Sequence, residues 1–239
     1  MRDFTAVEME HAGAVLTGLA IYPEDEGPFP AVLVMHNALG LNHHVRETAR
    51  QLADLGYAAV ATDMYGGGAA YGDVEVTSEA FAAISQTPDL LRQRVVAWFD
   101  TVRAMPGVDP DRLAAIGFCF GGTCVLELAR SGADVRAVVS YHGILTTHAP
   151  AQPGAVKAQV FAFCGGKDPY APIEHVEGLR AEMAAAGAPH TITLYGDAPH
   201  GFTDPASDSI PYDGIGYHPL ADRLSWAGTI ALLDALLAV

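Results

Sequence analysis

Residues 112–122 read RLAAIGFCFGG, and this stretch decides the fold. A short apolar run ending at Gly117 reads as a strand, and the residues from Gly121 onward read as a helix. Between them lies Gly117-Phe118-Cys119-Phe120-Gly121-Gly122. A side chain held on a sharp strand-to-helix turn has strained backbone angles, with little room for side chains two residues before and two after it. Gly117 and Gly121 occupy those two positions around Cys119. The turn also aims the N–H of Phe120, at the start of the helix, toward charge developing on a substrate oxygen. Cys119 is therefore the candidate nucleophile. Most free cysteines are buried core thiols, and that reading is favoured for Cys124 and Cys164, which lack such flanks.

Outward from this turn, short β-branched runs alternate with longer amphipathic stretches, the rhythm of a mostly parallel sheet covered by helices on both faces. Strands are expected at 31–36, 57–63, 112–117, 135–140, 158–163 and 190–195, with two more in the first 22 residues pairing as an antiparallel edge. Helices are expected near 43–55, 78–104, 121–131, 172–186 and 220–238, with Gly56, Gly132 and Gly187 as stops beyond three of them. The stretches 64–76, 141–156 and 197–218 read as irregular, and each follows an expected strand. Ligands of open α/β sheets bind beyond the carboxyl ends of the strands, so these loops should surround the site. No repeat or linker divides the chain, so residues 1–239 are read as one α/β domain.

Half of the 239 residues are hydrophobic and 17% charged, enough for one large core. The 28 acidic residues against 13 basic ones leave a net charge of -15, which repels phosphate backbones and anionic membranes. Nucleic acid and membrane are thus excluded as expected partners. The first residues carry no secretory pattern, and Trp226 to Val239 falls short of the ~20 residues that span a bilayer. A soluble cytoplasmic protein with reduced thiols is expected, as a monomer or small homo-oligomer.

A cysteine nucleophile needs a base, and the base needs an orienting acid. In α/β-hydrolases the chain order is nucleophile, acid, base. Asp168 follows the strand ending at Phe163 through Cys164-Gly165-Gly166-Lys167, and His200 follows the last strand within Asp197-Ala198-Pro199-His200-Gly201-Phe202. Each separation leaves room for one helix and one strand, so Cys119, Asp168 and His200 can meet at one end of the sheet. By analogy with that fold, the second oxyanion donor is expected from the loop after the first parallel strand, at the N–H of Ala38.

The chain has ten histidines, so rivals to His200 matter. His190 begins a strand at the wrong end of the sheet, His175 sits in a helix, and His11 lies in the edge region. His36, His43 and His44 fit no common zinc spacing, and no metal is expected. His142, in Tyr141-His142-Gly143, is the serious competitor and is read as pocket lining, a substrate-binding residue.

With these residues in hand, the chain resembles the dienelactone hydrolase family almost end to end. The segments that carry the likeness are PAVLVMHNALGLN, the Gly56-Tyr57 to Asp63-Met64-Tyr65-Gly66 stretch, IGFCFGG, GGKDP, PHGF and Tyr217-His218-Pro219 to Arg223-Leu224-Ser225-Trp226. The resemblance implies an α/β-hydrolase fold and a cofactor-free ester or lactone hydrolase, with a Cys-His-Asp triad falling on Cys119, His200 and Asp168. Two positions depart from the pattern. Aromatic-degradation members have a glutamate at the position of Asn37, a substrate-binding candidate here, and an arginine gripping a substrate carboxylate where this chain has Asp204. Arg92 or Arg94 could supply the missing cation. The alternatives are a short-chain carboxylesterase, a thioesterase, or a non-catalytic scaffold that binds a small ligand or a protein.

Overall fold

The computed structural model describes residues 2–70 and 74–238. The chain opens with β1 (Thr5–His11) and β2 (Ala14–Ile21), paired antiparallel as expected. The remaining strands are β3 (Phe29–Met35), β4 (Ala58–Thr62), β5 (Val108–Phe118), β6 (Ala137–Tyr141), β7 (Gln159–Gly165) and β8 (His190–Tyr195). They form one sheet in the order β1-β2-β4-β3-β5-β6-β7-β8. From β4 onward every neighbouring pair is parallel, whereas β2 meets β4 antiparallel.

Side-chain alternation along the inner strands explains why helices cover both faces. Leu33 and Met35 of β3, with Leu113 and Ala115 of β5, point into one core. Val32 and Val34, with Ala114 and Ile116, point into the other. A strand buried on both sides reads as a continuous apolar run, which is what residues 31–35 and 113–116 present. The first face is covered by α2 (Val74–Ser85), α3 (Pro88–Arg103), α4 (Phe120–Arg130) and α5 (Ile173–Ala186). The second is covered by α1 (His43–Asp54) and α6 (Pro219–Leu237).

The helix expected over 78–104 is two helices, α2 and α3, broken at Gln86-Thr87. Pro88 has no N–H and crowds the preceding turn, so it opens the second helix rather than continuing the first. The stretch read as irregular over 64–76 already turns helical at Val74, and its residues 71–73 lie outside the described residues. Between β4 and that helix the loop is organised by Asp63, which is 1% exposed. Its carboxylate accepts from the N–H groups of Tyr65, Gly66, Gly68 and Thr17 at 2.8–3.1 Å. Four donors offset the desolvation of that charge and fix where Tyr65 leaves the sheet. Among the described residues, no helix is long and apolar enough to cross a membrane.

Candidate active site

Cys119 sits between β5 and α4 with φ 52° and ψ −113°, a left-handed conformation that costs a non-glycine residue about 1–3 kcal/mol. Close approach of backbones holds it there. A Cβ on Gly117 would lie 2.0 Å from the Gly121 carbonyl oxygen, and one on Gly121 would lie 2.2 Å from the Met35 carbonyl oxygen. No side chain fits at either position, so the two glycines let α4 start directly against the end of β3. That contact sets the N–H of Phe120, at the start of α4, and the N–H of Ala38, on the loop after β3, where both lower the pKa of the Cys119 thiol.

Asp168 and His200 arrive from β7 and β8. The turns after these strands lie against each other: Gly166 and Lys167 donate their N–H groups to the Tyr195 and Ala198 carbonyls at 2.8 and 3.0 Å. His200 is further pinned by its N–H to the Gly214 carbonyl at 2.8 Å and by its own carbonyl, which accepts from Gly216 at 3.0 Å. Its Nδ1–H donates to Asp168 Oδ2 at 2.8 Å, and both side chains are buried, 8% and 0% exposed. The other carboxylate oxygen of Asp168 accepts from the Tyr170 N–H at 2.8 Å. Asp168 therefore fixes one tautomer, with Nδ1–H engaged and Nε2 left free, and the neighbouring Cys119 is the charge that most raises this imidazole.

The electrostatics favour a thiolate beside an imidazolium. Burial pushes the Cys119 thiol up, but the His200 charge and hydrogen bond, with the N–H groups of Phe120 and Ala38, bring it net below its ordinary value. Burial likewise disfavours the His200 cation, yet the Cys119 charge and the Asp168 hydrogen bond raise that imidazole well above its ordinary range. Cys124 and Cys164 are buried, and burial, aided by nearby Glu127 and Asp168 respectively, raises both thiols. Neither is poised as a nucleophile.

The other expected site residues fall in different places. Asn37 Oδ1 accepts from the Leu39 N–H at 2.9 Å and from Asn42 Nδ2 at 3.1 Å, so its amide shapes the loop that carries Ala38. His142 is 3% exposed, and its Nδ1 accepts from the Cys119 N–H in the strand-to-helix turn. His36 is saturated within the fold: Nδ1–H donates to the Asn37 carbonyl at 2.6 Å and Nε2 accepts from the Met64 N–H at 3.0 Å. Arg92 is paired with Glu127 and the Ala149 carbonyl, and Arg94 is buried against the Met64 carbonyl at 2.7 Å. Asp204 caps the short 3-10 helix Pro205–Ser209 through the Ala206 N–H at 3.0 Å.

Three residues near the site were not anticipated from sequence. Tyr170 lays its ring edge-on to His200, with centroids 4.8 Å apart. Tyr65 donates its hydroxyl to the Ala38 carbonyl at 3.1 Å and stacks on Phe120, touching both residues whose N–H groups lower the pKa of the Cys119 thiol. Thr203 accepts from His142. The sequence signal for Tyr170 was its place two residues after an aspartate in a tight turn. Tyr65 and Thr203 carry no local signal, because their partners come from distant strands.

Comparison with known proteins agrees with this architecture. The dienelactone hydrolase family profile matches residues 16–237. A protein of Escherichia coli (strain K12) named "Putative carboxymethylenebutenolidase" is 32% identical over 217 residues, covering 85% of this chain and 76% of that one. The solved structure of m3DLH superposes with a TM-score of 0.93 at 37% identity over 99% of both chains. A dienelactone hydrolase-like promiscuous phosphotriesterase, P91, from metagenomic libraries superposes with a TM-score of 0.93 at 34% identity over 98% of both chains. An intact strand-turn-helix elbow in an end-to-end match of this kind places the molecule: it is a hydrolase that belongs to the dienelactone hydrolase family of the α/β-hydrolase superfamily.

Proposed function

We propose that this hydrolase cleaves neutral esters or lactones through Cys119, His200 and Asp168 by way of a thioester. One observation carries the reading: a strained Cys119 lies between two N–H donors and an imidazole that Asp168 holds at 2.8 Å. The thiolate adds to the carbonyl carbon, and the carbonyl electron pair moves to oxygen, where the Phe120 and Ala38 N–H groups receive it. Collapse expels the alcohol or enol oxygen, which takes the proton from His200. His200 then draws a proton from water as the water attacks the thioester, and the thiolate leaves with the acid formed. A thiolate is itself a good leaving group, so activated esters and enol lactones suit this site better than amides.

The substrate class follows from charge. A bound carboxylate needs a cation, and charge-assisted pairing is worth ~1.5–3 kcal/mol, or roughly ten- to a hundredfold in affinity. Arg92 and Arg94 are committed to Glu127 and to backbone carbonyls, while Asp204 and the net charge of -15 repel an anion. Steady-state kinetics should give a higher kcat/KM for p-nitrophenyl acetate and neutral lactones than for cis- or trans-dienelactone. A preference for dienelactone of about tenfold or more would contradict the neutral-substrate reading.

A further inference from the structure

We propose that His142 is a positioning residue that braces nucleophile against base, a role that rests on the triad reading above. His142 directly follows β6, and its Nδ1 accepts from the Cys119 N–H at 3.2 Å, an N–H shared with the Tyr141 carbonyl at 3.0 Å. An amide N–H can only donate, so Nδ1 is unprotonated and the ring carries its hydrogen on Nε2. That Nε2–H donates to Thr203 Oγ1 at 2.9 Å. Thr203 stands three residues beyond His200 on the same loop, and its hydroxyl hydrogen is then free for His44 Nε2 at 3.5 Å.

One buried ring thus ties the loop of the nucleophile to the loop of the base. It also packs edge-on against His200 itself, with centroids 5.2 Å apart and planes at 67°, and against Phe202 at 5.0 Å. His142 takes a φ of 39°, a left-handed conformation unusual for its type, and its own N–H is fixed to the Phe163 carbonyl at 2.8 Å. The ionisable groups facing it are His200, backed by Asp168, and His44 on α1, beside Asp204. A proton on Nδ1 would confront the Cys119 N–H, so the ring stays neutral and adds no charge against the His200 imidazolium. A misplacement of reacting groups by about 1 Å can cost ~10²-fold in rate, which sets the scale of what such a brace protects.

His142→Phe keeps an aromatic ring but loses both hydrogen bonds, and Thr203→Val loses the bond from His142 Nε2 together with the longer one to His44 while leaving the Cys119 N–H contact in place. With p-nitrophenyl acetate, each should lower kcat by about ten- to a hundredfold with KM within about twofold. Each should also raise the pH midpoint for alkylation of Cys119 by iodoacetamide, because the thiolate then meets a misplaced imidazolium. Thr203→Ser should restore most of what Thr203→Val loses. Unchanged kcat and an unshifted midpoint in folded His142→Phe and Thr203→Val would overturn the proposal, as would a loss confined to KM. If His142→Phe fails to fold, Thr203→Val decides alone. Cys119→Ala measured alongside separates the two readings. Activity surviving there removes the triad and the brace together; a dead Cys119→Ala beside an unaffected His142→Phe removes the brace only.

Discussion

Cys119→Ala is expected to lower kcat for p-nitrophenyl acetate by ~10⁴-fold or more while leaving the protein folded. The change deletes one sulfur atom at a partly buried position and leaves Gly117 and Gly121, whose backbone contacts build the turn, untouched. The N–H groups of Phe120 and Ala38 stay in place, so the residual rate measures what they and substrate binding achieve without a nucleophile. Circular dichroism and the melting temperature establish that the variant is folded, and steady-state turnover reads the loss. Cys124→Ala and Cys164→Ala should leave turnover nearly intact, since both thiols are buried and raised. Retention of more than about a tenth of the activity in Cys119→Ala would end the assignment.

His200→Asn is expected to cost ~10⁴-fold in kcat and also to reverse the sign of the Cys119 pKa shift. In the wild type the His200 charge and hydrogen bond, with two N–H donors, outweigh burial and hold the thiol below its ordinary value of 9.0. Asparagine removes the charge while burial remains, so the thiol should rise above that value. The rate of iodoacetamide alkylation of Cys119 against pH reads this directly. The wild-type rate should fall only as pH drops through the lowered thiol pKa, and the variant should require more alkaline solution. An unchanged midpoint, or an equal loss of kcat in His142→Asn with none in His200→Asn, would show that the base has been misassigned.

The Cys119 turn was legible because its constraint is local: two glycines flank one cysteine between a strand and a helix. Asp168 and His200 were legible because a parallel sheet sends every strand's carboxyl end to the same side, so order along the chain becomes proximity. The β1–β2 edge was legible because two strands fit in the first 22 residues, before the Pro/Gly-rich stretch 23–30. The break at Pro88 was present in the sequence, yet apolar periodicity continues on both sides of it and masks the boundary. The position of His142 was not legible, since its contact with the Cys119 N–H depends on β6 lying beside β5, with Tyr141 opposite Phe118. The commitment of Arg92 to Glu127, residues 35 positions apart, likewise exists only once α3 packs on α4.

Turnover through Cys119 requires a covalent bond between the substrate and its sulfur. Mixing the protein with p-nitrophenyl acetate, quenching with acid within the first turnover and mapping the peptides by mass spectrometry tests it directly. The expected product is one acetyl group on the peptide that carries Cys119, held as a hydroxylamine-sensitive thioester, and none on that peptide in Cys119→Ala. Rapid hydrolysis with no acylated Cys119 at any quench time, or an acetyl group on another residue that is lost at the rate of turnover, would contradict it.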